Sequence, residues 1–164
     1  MKKFLVIGNP IEHSLSPTLH NYWIKNNSIN ATYEKQKLDE SGLEQLILEV
    51  KEKKINGINI TVPFKKTIIP YLDELSLEAE RTQSVNTIYL KDDKVIGHNT
   101  DIVGFQTSIE KSEYNLEDKK VLILGAGGVV PSIIFALTKM KPLKITISNR
   151  TKEKAENLKK LFKD

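Results

Sequence analysis

The hydrophobic pattern alternates between short solid apolar runs and longer stripes of helical period. The runs fall at residues 4–8, 57–61, 120–124 and 144–148. Apolar runs of this length, bounded by turn residues, read as strands buried in a sheet. Leu43, Leu46, Ile47 and Val50 follow the i, i+3, i+4, i+7 spacing of a half-buried helix, and Val130, Ile133, Ile134 and Leu137 share one face of another. Ser16-Pro17 predicts the start of a first helix, serine at the N-cap and proline at the first helical position, continuing through Leu19, Tyr22, Trp23 and Asn26 with the aromatics on one face. Residues 31–37 read as a second strand, after which Asp39 can cap the next helix. The order to residue 61 is strand, helix, strand, helix, strand, which predicts a largely parallel sheet with helices on its faces.

Beyond the third strand, residues 64–82 read as short helical pieces broken at Pro70. Residues 84–90 and 94–99 form a predicted hairpin around Asp92-Asp93. Asp101 then stands where the hairpin runs into a helix, so an N-cap is one reading of it. Residues 112–119 are polar and divide the chain into units at 1–111 and 119–164. A last amphipathic helix uses Ala155, Leu158 and Phe162. The fold class is α/β: an N-terminal mixed, mainly parallel βαβ domain followed by the first half of a Rossmann dinucleotide-binding domain.

That second unit carries the clearest chemical signal. The strand at 120–124 runs straight into Gly125-Ala126-Gly127-Gly128, and a helix follows. Strand, glycine-rich turn and helix together are the context of a dinucleotide fingerprint, in which the backbone approaches the pyrophosphate at a helix N-terminus. Val130 occupies the place of the usual third glycine. The next strand ends in Asn149-Arg150-Thr151, where an NAD site usually carries an acid. An arginine there accommodates a 2′-phosphate, so the predicted cofactor is NADP, with Lys152 and Lys154 adding charge; an exposed arginine at a helix start is the alternative. Only two strands of this unit are present, where a whole one has about six. The chain is therefore expected to be a fragment or a truncated product.

Composition narrows the class. The 164 residues suit one domain or two small ones, and the net charge of +4 is mild. Lysines are interleaved with glutamates, which favours solvated helix faces over nucleic-acid binding. No apolar run approaches the roughly 18 residues of a membrane span. The absence of cysteine excludes a disulfide framework and fits the cytoplasm. His13, His20 and His98 are scattered and lack a convergent carboxylate set, so no metal site is expected.

The first unit gathers polar residues at strand ends. Gly57-Ile58-Asn59-Ile60-Thr61-Val62-Pro63-Phe64-Lys65 delivers Thr61 and Lys65 to the mouth of the sheet, where small-molecule sites of open α/β folds lie. A surface lysine after a turn is the plainer alternative. Ser14 and Ser16 lie near a helix N-terminus, which favours an anion; a helix cap explains Ser16 but leaves Ser14 unexplained.

With these motifs in register the sequence resembles shikimate dehydrogenases. The matching stretches are Gly8-Asn9-Pro10-Ile11-Glu12-His13-Ser14-Leu15-Ser16-Pro17, the segment from Gly57 to Lys65, Val85-Asn86-Thr87-Ile88, Gly97-His98-Asn99-Thr100-Asp101, Gly125-Ala126-Gly127-Gly128 and Asn149-Arg150-Thr151. The resemblance implies reversible, NADP-dependent reduction of 3-dehydroshikimate to shikimate, on the way to chorismate and the aromatic amino acids. It implies that Ser14 and Ser16 hold the substrate carboxylate and that Thr61, Lys65, Asn86 and Asp101 surround its hydroxyls. Lys65 and Asp101 would be the catalytic pair, with Asp101 orienting Lys65. Gly125, Ala126, Gly127, Gly128 and Val129 would carry the pyrophosphate, and Asn149, Arg150, Thr151 and Lys154 would meet the 2′-phosphate. The expected partners are small molecules and a second copy in a homodimer. Val129-Val130-Pro131 departs from the small and basic residues usual there. The family also continues for roughly another hundred residues, which complete the dinucleotide domain. A quinate dehydrogenase using NAD, or a shikimate-binding fragment without turnover, are the alternatives.

Overall fold

The computed structural model describes residues 1–162. Its elements are β1 (Lys2–Gly8), α1 (Ser16–Asn26), β2 (Ala31–Lys37), α2 (Leu43–Lys51), β3 (Gly57–Ile60), β4 (Glu74–Leu75), α3 (Leu77–Thr82), β5 (Thr87–Lys91), β6 (Lys94–His98), α4 (Asp101–Lys111), β7 (Lys120–Leu124), α5 (Val130–Lys139), β8 (Lys144–Ser148) and α6 (Lys152–Leu161). Six strands form one sheet in the order β2-β1-β3-β5-β6-β4. The predicted βαβαβ half is parallel: β1 pairs with β2 on one side and β3 on the other. The hairpin then joins antiparallel, β5 to β3 and β6 to β5. β7 and β8 form a separate parallel pair in register from Lys120↔Lys144 to Leu124↔Ser148.

Strand alternation sends β1 into two cores. Leu5 and Ile7 face α2, joining Leu43, Leu46, Ile47 and Val50 with Ile58, Ile60 and Ile88. Val6 faces the other way, with Ile11 and Tyr33. Full burial of each such aliphatic side chain contributes about 1.5–3 kcal/mol before the entropy of ordering is subtracted. The apolar stripe of α2 is therefore what clamps that helix to the sheet. Gly8 ends β1 where a Cβ would lie 2.6 Å from the Thr61 methyl and 3.0 Å from the Val62 carbonyl oxygen. Only glycine lets the loops after β1 and β3 meet this closely, and the Asn9 amide donates to Val62 O at 3.0 Å.

Two local expectations are corrected. Leu15, not Ser16, is the N-cap of α1, so Ser16 is its first residue and Pro17 follows. The capping-type bond comes from Ser14, whose Oγ accepts from the Ser16 amide at 3.3 Å. Asp39 does not cap through its side chain; its carboxylate accepts from the Asn9 amide group at 3.0 Å. The face of α1 that carries the aromatics, on whose burial the sequence was silent, is largely exposed: Leu19, Tyr22 and Trp23 are about half exposed or more, and the helix buries no residue fully. The segment 64–82 also contains β4, which pairs parallel with β6 and is too short to register as a strand pattern. Asp92 and Asp93 take positive φ of 51° and 57°, the geometry that a two-residue hairpin demands.

Among the described residues no helix is long and apolar enough to cross a membrane. None of their His, Cys, Asp and Glu side chains form a group of three or more that could hold a metal ion.

Candidate functional site

The site is assembled where the strands of the first sheet end. Thr61 follows β3, and a run of turns carries the chain from it to Lys65. Val85, just before β5, donates its amide to Lys65 O at 2.8 Å, which holds that loop against the next strand. Asn86 is anchored in turn, its amide on His98 O at 3.0 Å and its carbonyl accepting from Ile60 N at 2.8 Å. The backbone thus places Lys65, Asn86 and the start of α4 side by side.

Their side chains meet. Lys65 Nζ donates to Asp101 Oδ2 at 2.7 Å, and Asn86 Nδ2 donates to Asp101 Oδ1 at 2.8 Å. Both carboxylate oxygens are therefore occupied. The side chains of Lys65 and Asp101 keep only 15% and 23% of their surface. The pair is neither a solvated surface bridge nor a sealed one, which suits groups that must reach a ligand. Asp101 is the first residue of α4 and its side chain caps nothing, so the N-cap reading of it fails. The missing cap contacts come from two asparagines. Asn86 Oδ1 accepts from Thr100 N at 2.9 Å, and Asn99 Oδ1 accepts from Asp101 N at 3.0 Å.

Ser14, Ser16 and Thr61 come together separately. With Val6, Pro10, Ile11 and His13 they line a cavity of about 300 Å³. It lies against the N-terminal end of α1, whose first amides lack intrahelical partners. The five residues from Thr61 to Lys65 join this cavity to the Lys65–Asp101 pair. A larger cavity of about 580 Å³ lies between α5, α6 and β8, but none of the predicted site residues line it. It is the gap between two helices lying on one strand pair, lined by Ile134, Ile147, Leu158 and Phe162 and by the lysines Lys144, Lys152 and Lys159.

Sequence reasoning missed the layer behind Asn86. Tyr33 Oη donates to Asn59 Oδ1 at 2.7 Å, Asn59 Nδ2 donates to Thr87 Oγ1 at 3.2 Å, and Thr87 Oγ1 donates to Asn86 Oδ1 at 3.0 Å. Burial pushes the Tyr33 phenol up to about 12, so it remains a donor at neutral pH. The signal that could have found this layer is Asn59 itself, a polar residue in the middle of an apolar strand. A polar group at such a position needs partners.

The predicted cofactor residues are also neighbours. The register of β7 on β8 puts Leu124 beside Ser148, so the glycine-rich turn and Asn149-Arg150-Thr151 leave adjacent strand ends. Gly125 N donates to Ser148 O at 2.8 Å, and Gly125 has φ 113°, a conformation that favours glycine. A Cβ on Gly127 or Gly128 would meet nothing within 4 Å. The protein's own packing thus gives no reason for glycine at these two places. Ala126 is half-buried, Val129 is the exposed N-cap of α5, and Val130 turns inward onto Ile134 and Leu158. The bulk at Val130 therefore packs in the core instead of standing over the turn. Asn149 Nδ2 donates to Thr151 O at 2.8 Å, while Arg150, Thr151 and Lys154 are exposed.

Comparison with known proteins follows the same division. The family model of the shikimate dehydrogenase substrate binding domain matches residues 6–88, and that of shikimate / quinate 5-dehydrogenase matches residues 107–164. The chain belongs to the shikimate dehydrogenase family. It is 66% identical over 161 residues to an NADP(+) shikimate dehydrogenase of Pelagibacter ubique, covering 98% of this chain and 61% of that relative. It is 39% identical over 166 residues to one of Caldicellulosiruptor saccharolyticus, covering 100% and 60%. The crystal structure of shikimate dehydrogenase from Aquifex aeolicus superposes with a TM-score of 0.93 at 39% identity, over 99% of this chain and 61% of that one. The Thermus thermophilus shikimate 5-dehydrogenase, solved in complex with NADP(H) and shikimate, gives a TM-score of 0.90 at 32% identity over 99% and 61%. The chain thus spans about three-fifths of the length of these shikimate dehydrogenases.

Proposed function

We propose that this chain carries the shikimate-binding part and the first cofactor-binding part of an NADP-dependent dehydrogenase. The reaction is reversible reduction of 3-dehydroshikimate to shikimate, on the route to chorismate and the aromatic amino acids. Residues 1–111 form the substrate domain and residues 119–164 begin the dinucleotide domain. The observation that carries this reading is the 2.7 Å contact of Lys65 with Asp101, half-enclosed next to a serine-lined cavity in a chain of this family.

Ser14 and Ser16 bind the substrate carboxylate at the start of α1, where the helix end favours an anion. Thr61, Asn86, Lys65 and Asp101 surround the ring hydroxyls. Lys65 gives its proton to the carbonyl oxygen during reduction and takes it from the hydroxyl during oxidation. Asp101 aims the ammonium, and Asn86 stops the carboxylate from turning. Gly125, Ala126, Gly127, Gly128 and Val129 fit a pyrophosphate: the backbone there is open and a helix begins. Arg150, with Asn149, Thr151 and Lys154, fits a 2′-phosphate, since guanidinium pairs bidentately with phosphate. NADPH would supply the hydride for reduction when bound, and NADP+ would take it back in oxidation; the chain supplies position and charge.

A second reading is that the serine-lined cavity and the Lys65–Asp101 pair hold shikimate without turning it over. One assay decides between them. The purified chain is mixed with shikimate and NADP+ and followed for NADPH absorbance, while shikimate binding is titrated calorimetrically. Absorbance growth supports the dehydrogenase, binding without growth supports the second reading, and neither rejects both. Quinate with NAD+ is the control for the relaxed-specificity alternative. A homodimer in the cytoplasm completes the reading, and sedimentation tests the dimer.

A further inference from the structure

Asn99, which caps the start of α4, also reaches across to α5. Asn99 is 0% exposed and sits between β6 and α4. Its Oδ1 accepts from the Asp101 amide at 3.0 Å. Its Nδ2 donates to Thr82 Oγ1 at 3.1 Å, to Ser84 O at 2.9 Å and to Ser132 Oγ at 2.8 Å. Two N–H bonds serve three acceptors, so one of them is shared. Ser132 is also fully buried and lies in the first turn of α5, directly after the glycine-rich turn. Ser84 Oγ approaches Gly128 O at 3.5 Å, the outer limit of a hydrogen bond, at the same junction.

We infer that Asn99 is a positioning residue: it sets the backbone of Asp101, and hence the Lys65–Asp101 pair, according to where α5 stands. The inference rests on the reading of Asp101 as the partner of Lys65. The physical argument is one of satisfaction. The Asp101 amide opens α4 and has no intrahelical acceptor, so its partner among the described residues is the Asn99 carbonyl oxygen. That oxygen cannot move without the amide nitrogen at the other end of the same rigid group. The nitrogen is held from two sides, by Thr82 Oγ1 and Ser84 O and by Ser132 of the helix that starts at the proposed pyrophosphate turn. A shift of α5 therefore reaches the Asp101 amide through one planar amide group, with the Ser132 hydroxyl bonded on one side of it and the Asp101 N–H on the other.

The test is carried out by NMR on the whole chain, comparing wild type with Ser132→Ala and Ser132→Thr. In Ser132→Ala the Asp101 amide is expected to exchange about fivefold faster, the effect of losing one net hydrogen bond, and the Lys65 Cε–Hε signal is expected to move. Amides of β1, such as that of Ile7, are expected to keep their protection. Ser132→Thr keeps the hydroxyl and is expected to leave both readouts at wild-type values. Unchanged exchange and an unmoved Lys65 signal in Ser132→Ala overturn the inference. Equal loss in both variants assigns the effect to packing and overturns it too. Turnover is read separately. Where NADPH forms, Ser132→Ala is expected to lower kcat severalfold with the KM for shikimate unchanged. Where none forms in wild type but the NMR effects appear, the dehydrogenase reading fails and the tie stands.

Discussion

Lys65 and Asp101 stand 36 positions apart in the chain and 2.7 Å apart in space. Neither is held by its own element alone. Lys65 lies in the turns after β3, its carbonyl fixed by Val85, and Asp101 opens α4, its amide fixed by Asn99. An ammonium and a carboxylate this close, with less than a quarter of either side chain exposed, pay a desolvation cost that packing alone does not require. Cost without structural need is the mark of a functional site.

Removal of the amine tests its role directly. In a form of the protein that turns shikimate over, Lys65→Ala is expected to lower kcat by about 10²–10⁴, the range for loss of a general acid–base group. Shikimate affinity is expected to change by less than about tenfold, because one ligand hydrogen bond is lost while the serines remain. Asp101→Asn keeps the shape and loses the charge, so kcat should fall while the fold persists. Steady-state kinetics with calorimetric binding separates the two quantities. A Lys65→Ala enzyme with wild-type turnover removes lysine from the chemistry.

Arg150 tests the cofactor reading. It is exposed beyond β8, beside the glycine-rich turn, and carries no packing role that its replacement would disturb. Arg150→Gln is expected to weaken NADP+ by about 10- to 100-fold, as loss of a charge-assisted pair with phosphate predicts. NAD+ binding should be unchanged. Fluorescence titration with both nucleotides measures this, and equal weakening of the two would deny a 2′-phosphate contact.

The α2 stripe gives a stability test within one helix. Leu43 is 0% exposed and Leu48 is 46% exposed, five positions further on. Leu43→Ala is expected to cost about 2–5 kcal/mol, since it leaves a cavity under the sheet. Leu48→Ala is expected to stay within about 0.5 kcal/mol. Urea denaturation midpoints at constant slope provide the comparison. Similar costs at both positions would mean that α2 presents a different face.

The parallel half of the first sheet was legible because its signal is collective. Leu5 and Ile7 in β1, Ile58 and Ile60 in β3 and the α2 stripe all demand the same layer. The hairpin was legible from Asp92-Asp93, where two positive φ values leave few residue choices. The start of α1 was not. Ser16-Pro17 pointed to Ser16 as the cap, whereas backbone geometry puts Leu15 there and sets Ser14 Oγ on the Ser16 amide. Nor was the outward face of Tyr22 and Trp23 readable, since an apolar stripe states that a face is apolar and not what lies against it. The motifs pointed to Lys65, Asn86 and Asp101. The side chains behind them, Asn59, Thr87 and Asn99, are polar residues tied to other elements across 15 to 33 positions of sequence.

The aromatic cluster behind β2 gives a pH dependence with a definite sign. His20 stacks on Tyr33 at a centroid separation of 4.1 Å and an interplanar angle of 4°, and meets Trp23 edge-on at 5.3 Å. Partial burial among these rings holds its imidazole below the ordinary value of 6.5. The folded chain therefore binds this proton more weakly than the unfolded chain does. By linkage, the stabilisation is fully present above about 6.5 and is lost as pH falls through the lower folded value. The Hε1 signal of His20 is expected to titrate with a midpoint below 6.5, and the urea midpoint is expected to drop on acidification across that window. His20→Gln, which carries no titrating group, should flatten that part of the profile. A His20 midpoint at or above 6.5 would place the ring in water or beside an acid, contrary to the stack on Tyr33.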